Sequence, residues 1–302
     1  MKPKILLIIT GPTAVGKTDF AIAIAQMLGT EIISADSRQI YREMMVGTAR
    51  PTIEQLQKVP HHMVACRSIH EYYNASLYEE EVIALLQKLY AQYDTVILTG
   101  GSGLYIDAVC YGIDDLPTID PQVRQQLSDR LRQEGLAVLQ AELKRIDPDY
   151  YHSADISNPK RVLKALEVYA MTHRPYSSFL TRTPKKREFE PVFVVLDLPR
   201  NELHQRIDNR VDQMVQAGLI EEAKSLYPYR HLNALNTVGY KELFEYFEGK
   251  CSLEQAIALI KRNTRRYARR QLTWFRRYDK ALWIQPQSPD ILVPWLKQAE
   301  KN

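Results

Sequence analysis

The stretch that most limits what this chain can fold into lies at its start. Residues 5–18 read ILLIITGPTAVGKT, an apolar run that breaks into Gly11-Pro12-Thr13-Ala14-Val15-Gly16-Lys17-Thr18. This is the spacing G-x-x-x-x-G-K-[ST], in which the backbone N–H groups of a glycine-rich loop cradle phosphate oxygens. The context agrees. Ile5 to Ile9 suits a buried parallel strand, and Asp19 to Leu28 (DFAIAIAQML) suits a helix opening just after Thr18. A strand that turns through glycines into a helix N-terminus offers N–H groups and the positive end of the helix dipole to an anion. Lys17 adds a point charge, and the Thr18 hydroxyl is placed to hold a magnesium ion. A glycine-rich turn that only happens to match is the plain alternative, against which strand and helix together argue. The loop does not say whose phosphate it grips.

Composition frames the rest. With 302 residues, 45% of them hydrophobic and 25% charged, the chain can bury a large core as one elaborated domain or two. No apolar run reaches the length of a membrane span and no signal peptide precedes the first strand, so a soluble, cytoplasmic protein is expected. Cys66, Cys110 and Cys251 share no metal or redox spacing and read as reduced, structural thiols. The net charge is only +4, but residues 261–302 hold 11 Lys or Arg against three Asp or Glu. That segment alone carries +8, which leaves the remainder near −4 and points to a polyanionic partner.

A short second strand, Glu31 to Ser34, runs into Ala35-Asp36-Ser37-Arg38-Gln39. In a parallel sheet the carboxyl ends share one edge, so Asp36 should emerge beside the phosphate loop as a magnesium ligand or general base. The alternative is a helix N-cap, with the possibility that Ser37 caps while Asp36 does chemistry. His61 and His62 are a poor metal pair on a strand, because neighbours point to opposite faces. Tyr73 to Gln92 reads as an amphipathic helix over the sheet, and Thr95 to Thr99 as a buried strand entering Gly100-Gly101-Ser102-Gly103. That strand lacks the acid with which ATP-hydrolysing relatives of the loop hold magnesium. The acid at Asp36 favours group transfer to an acceptor nearby.

From Leu116 to about Glu190 the α/β rhythm stops. Asp120 to Leu143 is helical with a break at Gly135, and Asn158-Pro159 caps and opens another helix. Lys160, Arg161 and Lys164 give that helix a basic face, for nucleic-acid phosphate or simply for water. The chain returns in a strand, Val192 to Leu198. Residues 1–115 and 191–302 are therefore expected to form a discontinuous α/β core, a parallel sheet flanked by helices, with 116–190 as a helical insertion domain. Beyond it, Arg206 and Arg210 either close over the phosphate site or simply share an i,i+4 helix face near Asp208 and Asp212. Last, residues 254–278 contain seven arginines and no acid after Glu254. Arg262, Arg266, Arg269, Arg270 and Arg277 form a stripe, while Ile257, Ile260, Ala268, Leu272 and Phe275 can pack inward. A water-facing helix normally mixes signs, so this density argues for a nucleic-acid backbone over a membrane surface.

Taken in order, GPTAVGKTDFAIAIA, ISADSRQIYREMMVGTARPT, VPHHMV, LTGGSGLYIDAV, NPKRVLKALEVY, RIDNRVDQMVQAGLIEE, NTVGYKE and TRRYARRQLTWFRR resemble the tRNA dimethylallyltransferases, the IPP transferase family. The resemblance spans nearly the whole chain and implies a P-loop NTPase-like core. It also implies transfer of a dimethylallyl group from dimethylallyl diphosphate to the N6 amine of the adenosine 3′ to the anticodon, in tRNAs reading codons that begin with U. Magnesium is implied, ATP hydrolysis is not, and the state is a monomer. Residue by residue, Gly11, Pro12, Thr13, Ala14, Val15, Gly16, Lys17 and Thr18 would hold the diphosphate, Thr18 with magnesium. Arg210 would stabilise the leaving group, and Asp36 would take the amine proton. Asp36, Ser37, Arg38, Gln39 and Ser102 would contact the tRNA around the extruded base. Arg124 and the segment Lys160, Arg161, Val162, Leu163 and Lys164 would contact the anticodon stem-loop. Ser102 stands where many relatives have threonine, keeping the hydroxyl. Three rivals stay open: a small-molecule kinase, an isopentenyltransferase acting on free adenine nucleotides, and a non-catalytic RNA-binding module.

Overall fold

The computed structural model describes residues 3–286 except 115, 118 and 182, together with 289 and 292. Lys297 and Lys301 of the basic C-terminal segment, and the core boundary expected at residue 115, lie outside the described residues.

The chain divides into a unit of Met1–Tyr111 with Lys186–Asn302 and a unit of Gly112–Lys185. The first unit begins with β1 (Lys4–Thr10), α1 (Lys17–Leu28), β2 (Ile32–Ser34), α2 (Ile53–Lys58), β3 (His61–His62), α3 (Ala75–Leu89), β4 (Thr95–Gly100) and α4 (Gly103–Tyr111). The second unit holds α5 (Pro121–Glu134), α6 (Leu136–Ile146), α7 (Pro148–Ser153) and α8 (Pro159–Thr172). The chain then returns to the first unit through β5 (Phe189–Leu196), α9 (Arg200–Gln216), α10 (Leu219–Leu226), α11 (Tyr240–Phe247), α12 (Leu253–Phe275) and β6 (Leu282–Ile284). Arg187 already belongs to the first unit, where it donates to the buried Glu79 carboxylate and to the Ala108 carbonyl.

The strands lie in the order β3-β2-β4-β1-β5-β6, and every pairing is parallel. An all-parallel sheet is covered on both faces, so its central strands must be apolar throughout. Leu6, Leu7, Ile8 and Ile9 of β1 are fully buried, as are Val96, Ile97 and Leu98 of β4. Each such side chain is worth roughly 1.5–3 kcal/mol against exposure. β5 starts three residues earlier than its apolar run, because Lys4 of β1 already pairs with Phe189.

Local signals set the helix ends. Asn74 caps α3 by accepting from the N–H groups of Ser76 and Leu77, which moves its start from Tyr73 to Ala75. Asn158 caps α8 on Lys160 N–H, with Pro159 in the first turn. Within the second unit Leu139, Leu143, Val162, Ala165 and Leu166 form a core of their own.

Register places the edge where chemistry can occur. Ile9 pairs with Thr99, and Ser34 pairs with Thr99, so the three strand ends are level. Two residues beyond that row stand Gly11, Gly101 and Asp36. With strands about 4.8 Å apart, Asp36 lies about 10 Å from Gly11 along the edge. The gap between them is spanned by Gly100, where a Cβ would come within 2.3 Å of the Ala35 backbone. Ala35 N–H donates to Thr99 O at 2.7 Å, and Ser102 N–H donates to Ala35 O at 3.1 Å.

Candidate active site

The phosphate loop is built as its spacing predicts. Gly16 is the N-cap of α1 at φ 104, a left-handed conformation that suits glycine, and no side chain caps the helix. Its first N–H groups have no intrahelical partner and point out of the helix start. Ala14 also takes a positive φ of 65. Lys17 Nζ turns back to donate to Gly11 O at 3.0 Å and Pro12 O at 2.8 Å. Burial, and then the nearby Arg210 guanidinium, pull the Lys17 ammonium down to about 7, with the Asp36 carboxylate opposing them. The Thr18 hydroxyl makes no hydrogen bond among the described residues.

Asp36 combines the two readings that its sequence position left open. Its Oδ1 accepts from Arg38 N–H at 2.8 Å and Gln39 N–H at 3.2 Å, so Asp36 and not Ser37 closes the turn. Its Oδ2 has no hydrogen bond among the described residues. Ser37 instead pairs with Ser102, whose Oγ accepts from Ser37 N–H at 2.9 Å and stands 3.1 Å from Ser37 Oγ. Arg38 donates to the carbonyls of Asn233 and Ala234. Gln39 donates to those of Thr48 and Ala49. These four polar residues form the frame around Asp36.

Arg210 comes to the same place from α9. The acids on either side of it do not pair within the helix. Asp208 pairs with Arg265, and Asp212 accepts from Lys261 at 2.7 Å, both on α12, while Arg206 pairs with Glu202 at 2.8 Å. That leaves Arg210 without an ion pair among the described residues. Burial lowers its guanidinium and Asp36 raises it. Lys17, Thr18, Asp36 and Arg210 all line one cleft of about 1240 Å³.

Residues that sequence reasoning missed complete the cleft. Gln271 of α12 is 5% exposed; its Oε1 accepts from Thr13 N–H and its Nε2 donates to Gly101 O, each at 2.9 Å. Tyr267, one turn earlier, lines the cleft too, and burial raises its phenol. Glu222 of α10 accepts from the N–H groups of Met45, Val46 and Gly47 and from the Tyr240 hydroxyl, fixing the loop that Gln39 also holds. The available signal was a glutamine on the apolar face of α12, three residues after the buried Ala268.

Other expectations resolve by place. His61 sits 2.7 Å from Val59 O through Nδ1, and His62 sits 2.5 Å from Glu31 through Nε2, so the two rings turn to different partners. On α12, Arg262, Arg266, Arg269 and Arg270 are exposed and have no ion pair among the described residues. Arg277 does not join them freely, since it pairs with Asp107 and lies 4.0 Å over the Trp274 ring. In the second unit Lys160 and Arg161 are exposed. Val162 is fully buried in the local core and Leu163 packs against it, so neither offers its side chain as a contact surface. Arg124 is bonded at 3.0 Å to the buried Glu167.

Known proteins resemble this chain over nearly its whole length. The chain is 50% identical over 294 residues to a protein of Phocaeicola vulgatus called tRNA dimethylallyltransferase 1, covering 97% of this chain and 98% of that one. A Bacteroides fragilis protein of the same name is 48% identical over 301 residues, covering both chains completely. Among solved structures, a tRNA isopentenylpyrophosphate transferase from Bacillus halodurans matches with a TM-score of 0.69 at 35% identity, over 99% of this chain and 95% of that one. A eukaryotic dimethylallyltransferase, described as acting on tRNA, matches with a TM-score of 0.80 at 25% identity, over 98% of this chain and 77% of that one. The IPP transferase family model matches residues 39–278, and with the phosphate loop, Asp36 and Arg210 gathered in one cleft, the chain belongs to that family.

Proposed function

We propose that this chain transfers a dimethylallyl group from dimethylallyl diphosphate to the N6 amine of the adenosine 3′ to the anticodon, in tRNAs reading codons that begin with U, and releases diphosphate. The observation that carries the reading is the second carboxylate oxygen of Asp36. It is unbonded among the described residues and shares one cleft with Lys17 and Arg210.

The diphosphate sits on the open N-terminus of α1, where Lys17 exchanges the Gly11 and Pro12 carbonyls for phosphate oxygens. The adenosine nitrogen gives its electron pair to C1 of the allyl group as the C1–O bond breaks, and the bonding pair leaves with the diphosphate. Arg210, already desolvated, meets the charge that builds on the leaving oxygen. Asp36 accepts the N6 proton, and its Oδ1 bonds hold it in orientation.

The donor set suits a magnesium ion. Thr18 offers one hydroxyl, and no group of three or more His, Cys, Asp or Glu that could hold a metal occurs among the described residues. A magnesium ion held there would take its other ligands from phosphate oxygens and water. Bound there, it would neutralise charge on the departing diphosphate.

Two surfaces support an RNA partner, each within its own unit: the unpaired arginines of α12, and Lys160, Arg161 and Lys164 at the start of α8. The adenosine must leave its stack to reach the cleft. No helix among the described residues is long and apolar enough to cross a membrane. A cytoplasmic monomer is proposed on the resemblance alone, and size-exclusion chromatography with light scattering checks the monomer.

The test supplies magnesium and labelled dimethylallyl diphosphate with total tRNA or with AMP, beside an assay of ATP consumption. Label should enter tRNA, and Asp36→Ala should abolish its entry. Label entering only AMP would identify a free-nucleotide enzyme. ATP turnover without label transfer would identify a kinase.

A further inference from the structure

One carboxylate beside the cleft has no part in the reaction as described. Glu222, in the first turn of α10, takes the N–H groups of Met45 at 2.9 Å and Val46 at 2.8 Å on its Oε2. Its Oε1 takes Gly47 N–H at 2.9 Å and the Tyr240 hydroxyl at 2.6 Å. A carboxylate has about four lone-pair positions, so these donors fill it. It has no capacity left for a metal ion, a proton or RNA, and it can act on the cleft only through the loop that it holds. Three successive N–H groups converging on one anion curl the backbone around it. From the other side Gln39 Nε2 donates to Thr48 O at 3.2 Å and Ala49 O at 3.1 Å, so the loop is held at its N–H groups by α10 and at its carbonyls by Gln39. The fit is close. Tyr240 is fully buried, and a Cβ on Gly47 would come within 2.6 Å of its Cζ.

We propose that Glu222 is a positioning residue for the acceptor adenosine, which holds residues 45–49 in place as the wall of the cleft beside Asp36. The proposal rests on the tRNA reading above. Met45, Val46, Thr48 and Ala49 line the same cleft as Asp36. The link between wall and base is Gln39, whose side chain holds Thr48 and Ala49 while its N–H donates to Asp36 Oδ1 at 3.2 Å. The seat of the diphosphate is supported from elsewhere. Gln271 accepts from Thr13 N–H, Lys17 donates to Gly11 O and Pro12 O, and no hydrogen bond among the described residues joins 44–49 to the phosphate loop. Loosening the Glu222 contacts therefore shifts the wall against which the adenosine is oriented and leaves the anion site standing. Transfer depends on that orientation, because the amine must approach the allylic carbon in line with the departing oxygen.

The test uses the full chain with magnesium and compares the wild type with Glu222→Gln and Gly47→Ala. Single-turnover transfer from labelled dimethylallyl diphosphate, at saturating donor and tRNA, is measured beside equilibrium binding of inorganic diphosphate. Glu222→Gln keeps the size of the side chain but turns an NH2 group toward at least one of the backbone N–H groups. Gly47→Ala leaves the carboxylate intact and pushes the loop away from Tyr240, so it keeps the test open if Glu222→Gln does not fold. Each variant should slow transfer by about tenfold or more. Each should bind inorganic diphosphate within about twofold of the wild type, as expected for a site that shares no partner with the loop. A wild-type transfer rate in either folded variant would overturn the proposal. So would a loss of diphosphate affinity as large as the loss of rate, since a role in the fold alone moves both together. A wild type that puts no label into tRNA would overturn the proposed function and the acceptor role with it, whereas an active wild type with unaffected variants overturns the role of Glu222 alone.

Discussion

Donor binding should be coupled to the protonation of Lys17, and pH is the perturbation that reveals it. In the free protein, burial and Arg210 hold the ammonium at about 7, far below its ordinary 10.5. A bound diphosphate brings negative charge against it and restores the protonated form. Below pH 7 the free lysine already carries its proton, so binding takes up none. Above 7 each bound donor must first protonate Lys17, and affinity falls as pH rises through that value. With one proton linked, the dissociation constant scales inversely with the protonated fraction of the free lysine and should rise roughly 50-fold between pH 7 and pH 9, about 2 kcal/mol. Calorimetry with dimethylallyl thiolodiphosphate, in buffers of different ionisation enthalpy, reads both the affinity and the proton uptake. Uptake should climb from about half a proton at pH 7 toward one at pH 9. Lys17→Met should bind more weakly at pH 7 and show almost no further loss at pH 9. A wild-type affinity that stays flat between pH 7 and 9, or a Lys17→Met variant with the same slope, would refute the linkage.

Two further outcomes follow from the packing of α12. Gln271→Leu strands the Thr13 N–H and the Gly101 carbonyl in a buried place, so chemical denaturation should show a loss of about 2–3 kcal/mol, and an unchanged midpoint would contradict this. Replacing Arg262, Arg266, Arg269 and Arg270 together by glutamine should weaken tRNA binding and flatten its salt dependence by about one unit of slope for each phosphate that an arginine no longer neutralises. Binding of the five-carbon donor should not change, and a parallel loss there would mean that these side chains act through the fold.

The expectations that the structure bears out have a common physical origin. β1, β4 and α1 were legible because their residues are apolar enough to be buried on every side, and a glycine-rich turn with Lys and Thr has few other uses. Asp36 could be placed because parallel strands end on one edge, whatever lies between them. The start of α8 followed from an asparagine cap and a first-turn proline, which act within three residues. The two-residue β3 and the three-residue β6 left no periodic trace. The role of Ser37 was misjudged for a related reason. Both Ser37 and Asp36 can close a turn, and the choice depends on Ser102, 65 residues away.

What the sequence by itself determined was therefore the set of elements, the anion loop and the acid that faces it, since each follows from local periodicity, caps or strand direction. Only the tertiary structure decided how the polar side chains are spent. Asp208 and Asp212 turn from their own helix to α12 and so leave Arg210 to the cleft. Gln271 reaches back 258 residues to hold the phosphate loop. Residues of α9, α10 and α12 come to line one small chamber together with Thr13 and Asp36. These pairings join residues far apart in the chain, and no period or spacing encodes a partner that folding alone brings near.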